Sequence, residues 1–200
     1  MEKPDLWELE RALLAQGRRL VCGADEAGAG PLAGAVYAGA VILPAGWIPN
    51  GLNDSKKLTE RTRDRLFEEI KANAVAWAVA SVSEKDIDRI NILNARMLAM
   101  DKAIRALDPA PDYALIDGDK SRGISVPHTA VVKGDSRSAS IAAASILAKV
   151  SRDRYITRLD AEYPQYGFAR HKGYGTKAHY EALRTYGPCP IHRVTFLKHL

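Results

Sequence analysis

Residues 21–34, VCGADEAGAGPLAG, place two adjacent acids, Asp25 and Glu26, among small residues, with no Lys, Arg or His in the stretch to neutralise them. Two more acids close short apolar runs: Asp117 closes YALID, and Asp135 closes AVVKGD. Carboxylates grouped without thiols or imidazoles are the ligand set that Mg²⁺ and Mn²⁺ prefer. We therefore predict a divalent-metal site, provided that the fold brings these four acids together.

Clustered carboxylates also indicate a particular reaction. Four of them within a few ångströms would repel each other and raise their pKa values unless cations held them. Two divalent ions about 4 Å apart promote phosphoryl transfer, because one activates a water molecule and the other stabilises the leaving oxygen. The acids thus predict phosphodiester hydrolysis with two metal ions.

Each acid has a simpler explanation when it is taken alone. Asp25 or Asp135 could cap a helix, and Asp117 followed by Gly118 could form a turn. A regular strand also points Asp25 and Glu26 to opposite faces. Either the strand has ended by Glu26, or Glu26 contributes in another way, such as through its backbone carbonyl.

The elements that must position these acids follow from hydrophobic periodicity. Apolar, β-branched runs predict strands at RLVCGADE, AGAVYAGAVIL, AVAWAVASV, YALID and AVVKGD, the last two short and buried. Helices are predicted over TERTRDRLFEEIKAN with Thr59 as N-cap, from Asn91 with Leu93 on the apolar face, over the alanine-rich segment 136–163, and over residues 177–186. The small residues of the long helix would allow close packing on a sheet.

This order of elements predicts an α/β fold, a mixed sheet covered by helices. In α/β sheets, ligand sites collect outside the strand ends. Three of the predicted strands end in an aspartate, at Asp25, Asp117 and Asp135. These aspartates converge if the strands are neighbours, and Glu26 then adds a fourth acid.

The net charge of +5 is concentrated at one end of the chain. Residues 1–150 carry 20 basic and 20 acidic side chains, whereas residues 151–200 carry 9 and 4. The last quarter also holds six of the eight tyrosines and four of the five histidines. A basic, aromatic-rich region suits a polyanion with bases to stack against, although a solvated surface with core tyrosines explains the same composition.

Length and composition exclude several other classes of protein. Two hundred residues suffice for one domain with a core, or for one domain with a small appendage. No apolar run approaches the length of a bilayer span, and the N-terminus lacks a signal-peptide layout. Cys22 and Cys189 are too few for a disulfide framework and lack metal-ligand spacing. We therefore expect a cytoplasmic protein.

The glycine-rich stretch GAGPLAG, residues 28–34, matches neither common nucleotide-binding fingerprint, because it lacks G-x-G-x-x-G and no G-K-[S/T] follows. Gly28 and Gly30 would let the backbone approach a ligand with no side chain in the way. A tight hairpin turn is the simpler alternative. Beside two candidate metal-binding acids, we favour a backbone that touches a sugar-phosphate.

Six segments of the chain, taken together, resemble the successive signatures of the ribonuclease HII family. They are GADEAGAGPLAGAV, LNDSKKL, LIDG, VVKGDS, IAAASILAKVSRD and YGFARHKGYGT, and they occur in the family's order. The resemblance covers roughly residues 20–195. It implies a ribonuclease H-like fold, in which helices flank a mixed five-stranded sheet and a small helical region follows.

The resemblance also implies an activity. Ribonucleases HII cleave the RNA strand of RNA–DNA hybrids and cut on the 5′ side of single ribonucleotides embedded in duplex DNA. We expect two divalent ions, Mg²⁺ or Mn²⁺, and products with a 5′-phosphate and a 3′-hydroxyl. The resemblance assigns the catalytic, metal-binding role to Asp25, Glu26, Asp117 and Asp135.

Other residues match the family's substrate contacts. Tyr174, in HKGYG, matches the tyrosine that stacks beneath the sugar at the RNA–DNA junction. Gly28 and Gly30 match a glycine–arginine–glycine motif that senses the 2′-hydroxyl. Ala29 is a departure, because the family usually has arginine there, and a guanidinium–phosphate contact would be lost.

The remaining candidates lie along the expected path of the duplex. The segments DSKK and KGDS match stretches that follow the substrate backbone, which makes Lys56 and Ser136 candidate contacts. Arg170 and Lys172, in the basic last quarter, are candidates to grip the duplex. Asp119 is a smaller departure, where the family often has asparagine, and adds a negative charge beside the acids.

We expect a ribonuclease H-like catalytic domain over residues 1–160, with residues 1–18 as a helical extension, and a C-terminal region over 161–200 that completes the substrate groove. The expected partners are RNA–DNA hybrids and duplex DNA containing ribonucleotides. We expect no membrane association and no obligate protein partner, and hence a monomer. Two alternatives stay open: another metal-dependent nuclease on the same fold, and a hybrid-binding protein without catalysis.

Overall fold

A computed structural model describes residues 5–198 of the chain, and within them a five-stranded sheet is flanked by seven α-helices. The strands are β1 (Val21–Ala27), β2 (Val36–Ile42), β3 (Ala76–Val82), β4 (Tyr113–Asp117) and β5 (His128–Val131). The helices are α1 (Glu8–Ala15), α2 (Glu60–Asn73), α3 (Glu84–Ile90), α4 (Ile92–Arg105), α5 (Ala139–Glu162), α6 (Phe168–His171) and α7 (Lys177–Tyr186). The predicted order of strands and long helices is confirmed.

The sheet is mixed and has the strand order β3-β2-β1-β4-β5. The pairs β1–β2 and β2–β3 are antiparallel, whereas β1–β4 and β4–β5 are parallel. In the parallel pair β1–β4, Ala24 lies opposite Ile116. This register brings the carboxyl ends of β1 and β4 to the same edge of the sheet.

Helices cover both faces of the sheet. On one face, α4 packs against the strands around Met100 and Ile104; on the other, α5 packs with α2 around Ile146 and Leu66. A Cβ at Gly39 of β2 would lie 2.4 Å from the carbonyl oxygen of Ala144 on α5. The backbones of β2 and α5 are therefore in direct contact, and the small residues of this helix had predicted such close packing on the sheet.

Two details of the predicted helices have different outcomes. Thr59 is the N-cap of α2, and its hydroxyl accepts a hydrogen bond from the backbone N–H of Thr62, as expected. The prediction that Leu93 belongs to the apolar face of α4 is wrong, because Leu93 is 53% exposed. The first turn of α4 borders a cleft against the 118–122 loop rather than the sheet.

The C-terminal region packs on the connection between β1 and β2. The backbone N–H groups of Leu32 and Gly34 donate to the carbonyl oxygens of Gly173 and Ile191, at 2.9 and 2.8 Å. A separate hydrophobic cluster fills the contact, and its larger members are Leu32, Ile156, Tyr166, Phe168, Leu183 and Ile191. The connection is therefore a fixed part of the fold and not a tight hairpin turn.

A chain of neutral histidines lies inside this region. The N–H of Cys189 donates to Nδ1 of His192 at 2.9 Å, so Nε2 of His192 carries the hydrogen that faces Nε2 of His179 at 3.0 Å. Nδ1 of His179 then donates to the carbonyl oxygen of Tyr174 at 2.9 Å. A second proton on either ring would place two N–H groups against each other.

No helix within residues 5–198 combines the length and the apolar character that crossing a membrane requires.

The histidine chain predicts a loss of stability in acid. Burial, and then His179, lower the pKa of His192 from 6.5 to about 4. As the pH falls, His192 is protonated in the unfolded chain before it is protonated in the folded one. The contribution of neutral His192 to stability is therefore fully present above pH 6.5 and is lost as the pH falls towards 4. Between these pH values, we expect the unfolding free energy of the wild type to fall by about 2 kcal/mol more than that of His192→Asn. Denaturant titrations at both pH values measure this difference, and parallel pH slopes would contradict it.

Candidate active site

The parallel pairing of β1 and β4 positions two of the predicted acids. Asp25 follows Ala24, and Asp117 follows Ile116, so each acid lies one residue beyond the last paired positions of the two strands. Burial is the main cause that raises the pKa values of Asp25, Glu26 and Asp135, and the negative charge of Asp117 adds to the increase at each of them. The structure therefore brings all four acids into one electrostatic group.

Two of the expected strand ends are wrong. Asp25 does not end β1, which continues to Ala27 because Ala27 still pairs with Tyr37 of β2. Asp135 lies four residues beyond the end of β5, in a 3₁₀ turn that the left-handed backbone of Lys133 (φ 55°) introduces. Moreover, β5 is a partly exposed edge strand rather than a buried one.

Asp25 is 6% exposed and faces α5. Its Oδ1 accepts a hydrogen bond from the backbone N–H of Glu26 at 2.7 Å, and Ser145 of α5 lies beside the carboxyl group. Burial, and then the charges of Glu26 and Asp117, raise the pKa of Asp25 well above its usual range. The environment disfavours the ionised form, and the hydrogen bond from Glu26 and the neighbouring Ser145 only partly oppose this effect.

Glu26 points to the other face of the sheet and meets an arginine there. Nε of Arg96, on α4, lies 2.7 Å from Oε1 of Glu26, and the side chains are 25% and 12% exposed. The N–H of Arg96 is not directed along this contact, so the two groups form an ion pair without a hydrogen bond. Burial raises the pKa of Glu26 in spite of Arg96. Of the two alternatives for Glu26, the one in which the strand has ended by this residue is wrong, because Glu26 is still part of β1.

The other two acids lie on the adjoining turns. Oδ1 of Asp117 accepts a hydrogen bond from the backbone N–H of Gly134 at 2.7 Å, which ties the end of β4 to the turn that carries Asp135. Burial, and then the charges of Asp54 and Asp117, raise the pKa of Asp135, while Lys56 lowers it. Asp54 is thus a fifth acid at the site, within the segment LNDSKKL.

The donors suit a divalent ion by type and charge. Within residues 5–198, no group of three or more His, Cys, Asp or Glu side chains lies in an arrangement that could hold a metal ion. The carboxylate oxygens are nevertheless the donors that Mg²⁺ and Mn²⁺ select. Oε2 of Glu26 is buried and accepts no hydrogen bond from the described residues, so it has lost its hydration without a replacement. A cation beside these acids would relieve both the repulsion and the lost hydration.

A cleft of about 190 Å³ joins Asp25 and Glu26 to the glycine-rich stretch. Its lining includes Asp25, Glu26, Gly28, Ala29, Gly30, Ser55, Lys56, Ser145, Lys149 and Tyr174. Asp117, Asp135, Ser136, Arg170 and Lys172 are not part of this lining. A larger surface cleft, of about 460 Å³, lies between α2 and α5 and contains none of the four acids.

The candidate substrate residues differ in how free their side chains are. Tyr174 is 46% exposed, and Lys56 and Arg170 are also exposed. The ammonium group of Lys172 instead donates to Oγ1 of Thr157 and to a backbone carbonyl of α6, at 2.8 and 2.9 Å. The hydroxyl of Ser136 donates within its own turn. Nε2 of His171 is hydrogen-bonded to the carbonyl oxygen of Tyr166 at 2.8 Å.

Several residues at the site had no signal in the sequence. Arg96 is 70 positions from Glu26, and nothing in the periodicity of α4 marks it as the partner of an acid. Ser145 and Asp54 lie in recognised segments, but their contacts with Asp25 and Asp135 depend on the packing of α5 and of the 54–58 turn.

Comparison with known proteins identifies the family that the sequence motifs resemble. The model of a family described as Ribonuclease HII matches residues 22–199. The chain is 53% identical over 199 residues to the ribonuclease HII of Caldicellulosiruptor bescii, covering 100% of this chain and 97% of that protein. It is 54% identical over 194 residues to the ribonuclease HII of Caldicellulosiruptor saccharolyticus, covering 97% and 95%.

Two solved structures share the fold. The ribonuclease H2 from Pyrococcus horikoshii OT3 superposes with a TM-score of 0.73 at 29% identity, covering 88% of this chain and 93% of that one. The ribonuclease HII of Archaeoglobus fulgidus, solved as a complex with PCNA, gives a TM-score of 0.74 at 27% identity, covering 88% and 94%. These superpositions show the same arrangement of sheet and helices.

The desolvation of Asp25 predicts the behaviour of the metal-free protein. In EDTA at pH 7.5, Asp25→Asn should unfold about 2–4 °C higher than the wild type, for a gain of roughly 1 kcal/mol. The gain should shrink as the pH falls, because acid protonates Asp25 in the wild type. Thermal unfolding followed by circular dichroism measures it. Asp112→Asn is the control, since this carboxylate accepts two backbone N–H groups, and it should bring no gain.

Equal or lower unfolding temperatures for Asp25→Asn at neutral pH would mean that the Asp25 charge is already compensated in the metal-free protein.

Proposed function

Because the chain belongs to the ribonuclease HII family, and is therefore an endoribonuclease that acts on RNA–DNA hybrids, we propose that it also cuts duplex DNA at embedded ribonucleotides. The cut falls on the 5′ side of the ribonucleotide and leaves a 5′-phosphate and a 3′-hydroxyl. Its mixed sheet with flanking helices is the ribonuclease H-like fold that the resemblance implied. The observation that carries the proposal is the group of desolvated acids beside an open glycine backbone.

Ribonucleases of this family depend on divalent metal ions, and we propose that Asp25, Glu26, Asp117 and Asp135 hold two of them, Mg²⁺ or Mn²⁺. When bound, such ions supply an activated water and stabilise the leaving oxygen. The chain contributes the charge and the rigidity of the site. The hydrogen bonds to Oδ1 of Asp25 and of Asp117 fix both carboxylates on adjacent strands, and Arg96 restrains Glu26.

Recognition of the ribonucleotide is proposed for the opposite wall of the cleft. Gly30 is exposed, and a Cβ at this position would meet only Cε1 of Tyr174, at 3.6 Å. Nothing in the fold requires glycine there, which leaves the open space above Gly30 for the substrate backbone and its 2′-hydroxyl. The exposed ring of Tyr174 borders this space and presents a stacking surface for a sugar.

The duplex is proposed to lie across the site on both sides of the cleft. Lys56 and Ser136 are on the turns that carry Asp54 and Asp135, and they follow one strand. Arg170 and Lys172 lie in the C-terminal region, residues 161–200, which completes the groove beside the catalytic domain of residues 1–160. Lys172 contributes less than Arg170, because its ammonium group is already hydrogen-bonded.

The proposed enzyme is a monomer without an obligate protein partner. Asp25, Glu26 and the glycine backbone that line the cleft all come from one chain, which supports this proposal. A second copy is not required to explain any contact at the site.

The direct test uses a duplex DNA with one embedded ribonucleotide. In Mg²⁺ or Mn²⁺, the wild type should cut once, on the 5′ side of the ribonucleotide, and leave an all-DNA duplex of the same sequence intact. Asp117→Asn should reduce turnover at least about 100-fold, a barrier increase of roughly 2.7 kcal/mol, because it removes charge without changing volume. Sequencing gels that map the product ends report both results.

Cutting of the all-DNA duplex would favour a different nuclease, and binding without cutting would favour a hybrid-binding protein. A variant Asp117→Asn that kept more than about a tenth of the turnover would remove Asp117 from the mechanism.

The open space at Gly30 gives a second test. Gly30→Ala and Gly30→Val should reduce kcat/KM on the embedded ribonucleotide progressively, by about tenfold or more for valine, with the unfolding temperature within about 2 °C of the wild type. Gly28→Ala is the contrast: it should destabilise the fold, because Gly28 has φ +92° and its Cβ would lie 1.9 Å from Nε of Arg152. Steady-state kinetics and thermal unfolding distinguish the two positions. Unchanged kinetics for Gly30→Val would mean that the substrate does not approach this backbone.

A further inference from the structure

Two arginine side chains are buried behind the glycine loop, defined here as residues 28–35. Arg152 of α5 is 1% exposed, and Arg193, which follows α7, is 0% exposed. Neither forms a salt bridge with a carboxylate of residues 5–198. Burying an unpaired guanidinium is unfavourable unless hydrogen bonds replace its hydration.

The hydrogen bonds of Arg193 all go to backbone carbonyl oxygens of the glycine loop. Nη1 donates to Ala29 at 2.9 Å, and Nη2 donates to Gly28 at 2.6 Å and to Gly34 at 2.7 Å. Nε donates to Gly34 as well, at 2.9 Å. One planar group thus ties the start of the loop to its end.

Arg152 holds the second half of the loop. Nη2 donates to the carbonyl oxygen of Ala33 at 3.2 Å, and Nε donates to that of Ala35 at 3.3 Å. Nη1 donates to the carbonyl oxygen of Lys172 at 3.1 Å, which links the loop to the segment that carries Tyr174. The two arginines therefore fix the loop and its neighbouring segment together.

This arrangement determines which atoms of the loop face the cleft. In a trans peptide, the C=O group and the following N–H group point in opposite directions. Because the carbonyl groups of Gly28 and Ala29 face Arg193, the N–H groups of Ala29 and Gly30 point away from it. Neither N–H donates a hydrogen bond within the part of the chain that the structure describes. Both residues line the cleft with the acids.

We propose that Arg193, supported by Arg152, is a positioning residue that turns the N–H groups of Ala29 and Gly30 towards an oxygen atom of the nucleic-acid substrate. The inference rests on the proposed function and deepens it. The side chain at position 29 provides no positive charge, and the guanidinium groups supply it from behind the loop instead. The oxygen belongs to a phosphate or to the ribose 2′-hydroxyl at the cut site.

The positive charge persists at neutral pH. Burial, and then the charge of Arg152, lower the pKa of Arg193 to about 9. Arg193 is therefore still protonated at pH 7. Neither arginine forms a salt bridge, and the carboxylates of Glu84 and Asp88 act on Arg193 only from a greater distance, so the arginine pair leaves a positive charge behind the loop.

The kinetic test replaces the planar guanidinium group of Arg193 but keeps its positive charge. Arg193→Lys cannot hold the carbonyl groups of Gly28 and Ala29 together, because an ammonium group lacks the fixed geometry of guanidinium. For a duplex with one ribonucleotide, KM should rise about tenfold or more while kcat stays within about threefold of the wild type. The matched control is Arg154→Lys, two residues from Arg152 on α5, where the arginine pairs at the surface with Asp64.

A purely structural role would give a different result: a smaller active fraction, seen as a lower kcat at unchanged KM. A KM equal to that of Arg154→Lys would overturn the inference while leaving the proposed function intact. If the wild type itself fails to cut the ribonucleotide, the proposed function fails first, so the two failures are distinguishable.

A second measurement does not depend on the folding of a variant. In metal-free wild type labelled with ¹⁵N, the amide resonances of Ala29 and Gly30 should shift downfield on binding the ribonucleotide duplex, as expected for new hydrogen bonds. All-DNA duplex should shift both resonances less if the oxygen is the 2′-hydroxyl, and equally if it is a phosphate. Unshifted amides alongside a shifted Tyr174 would overturn the inference.

Discussion

Burial of negative charge at the carboxyl edge of the sheet is the constraint on which the site depends. Asp25 is almost completely buried, and both the loss of water and the charges of Glu26 and Asp117 oppose its ionisation. The parallel pairing of β1 and β4 makes this proximity unavoidable, because it brings the two aspartates to the same edge. The fold therefore carries an electrostatic cost in the metal-free state that bound cations would relieve.

The buried charges are compensated differently on the two walls of the cleft, which are the acid wall, formed by Asp25 and Glu26, and the glycine wall, formed by the glycine loop. On the acid wall, Arg96 restrains one carboxylate but leaves Oε2 of Glu26 without a partner. On the glycine wall, Arg152 and Arg193 give all their hydrogen bonds to backbone carbonyl groups and keep their positive charge. The acids thus favour the binding of cations, and the positively charged arginines behind the glycine loop favour the binding of an anion. A phosphodiester with divalent ions satisfies both requirements at once.

How much of this arrangement the sequence predicts depends on how local the cause is. The cap at Thr59 and the close packing of α5 follow from neighbouring residues, and the structure confirms both. The end of β1 was placed at Asp25, but pairing with β2 extends the strand to Ala27, and sequence alone does not show that pairing. Likewise, the left-handed Lys133 separates Asp135 from the end of β5.

Long-range contacts account for the rest of what the sequence could not show. The partners of Arg193 are more than 150 positions away, and its segment has no periodicity that marks a buried cation. The motifs identified the acids and the glycines because each is confined to a few adjacent residues. The arginines that hold the glycine loop are separated from it in the sequence, and only the packing of α5 and the C-terminal region against the loop brings them into contact with it.

The central claim, that the acids hold divalent ions, is tested most directly by thermal unfolding of the wild type in increasing MnCl₂ or MgCl₂, with KCl at matched ionic strength as the reference. An ion that binds the folded state at a hundred times its Kd adds about 2.7 kcal/mol, which corresponds to roughly 5–10 °C for a chain of this size. The account predicts a saturating rise of this order in the divalent salt and little change in KCl. Coincident unfolding temperatures in the divalent salts and in KCl would contradict it.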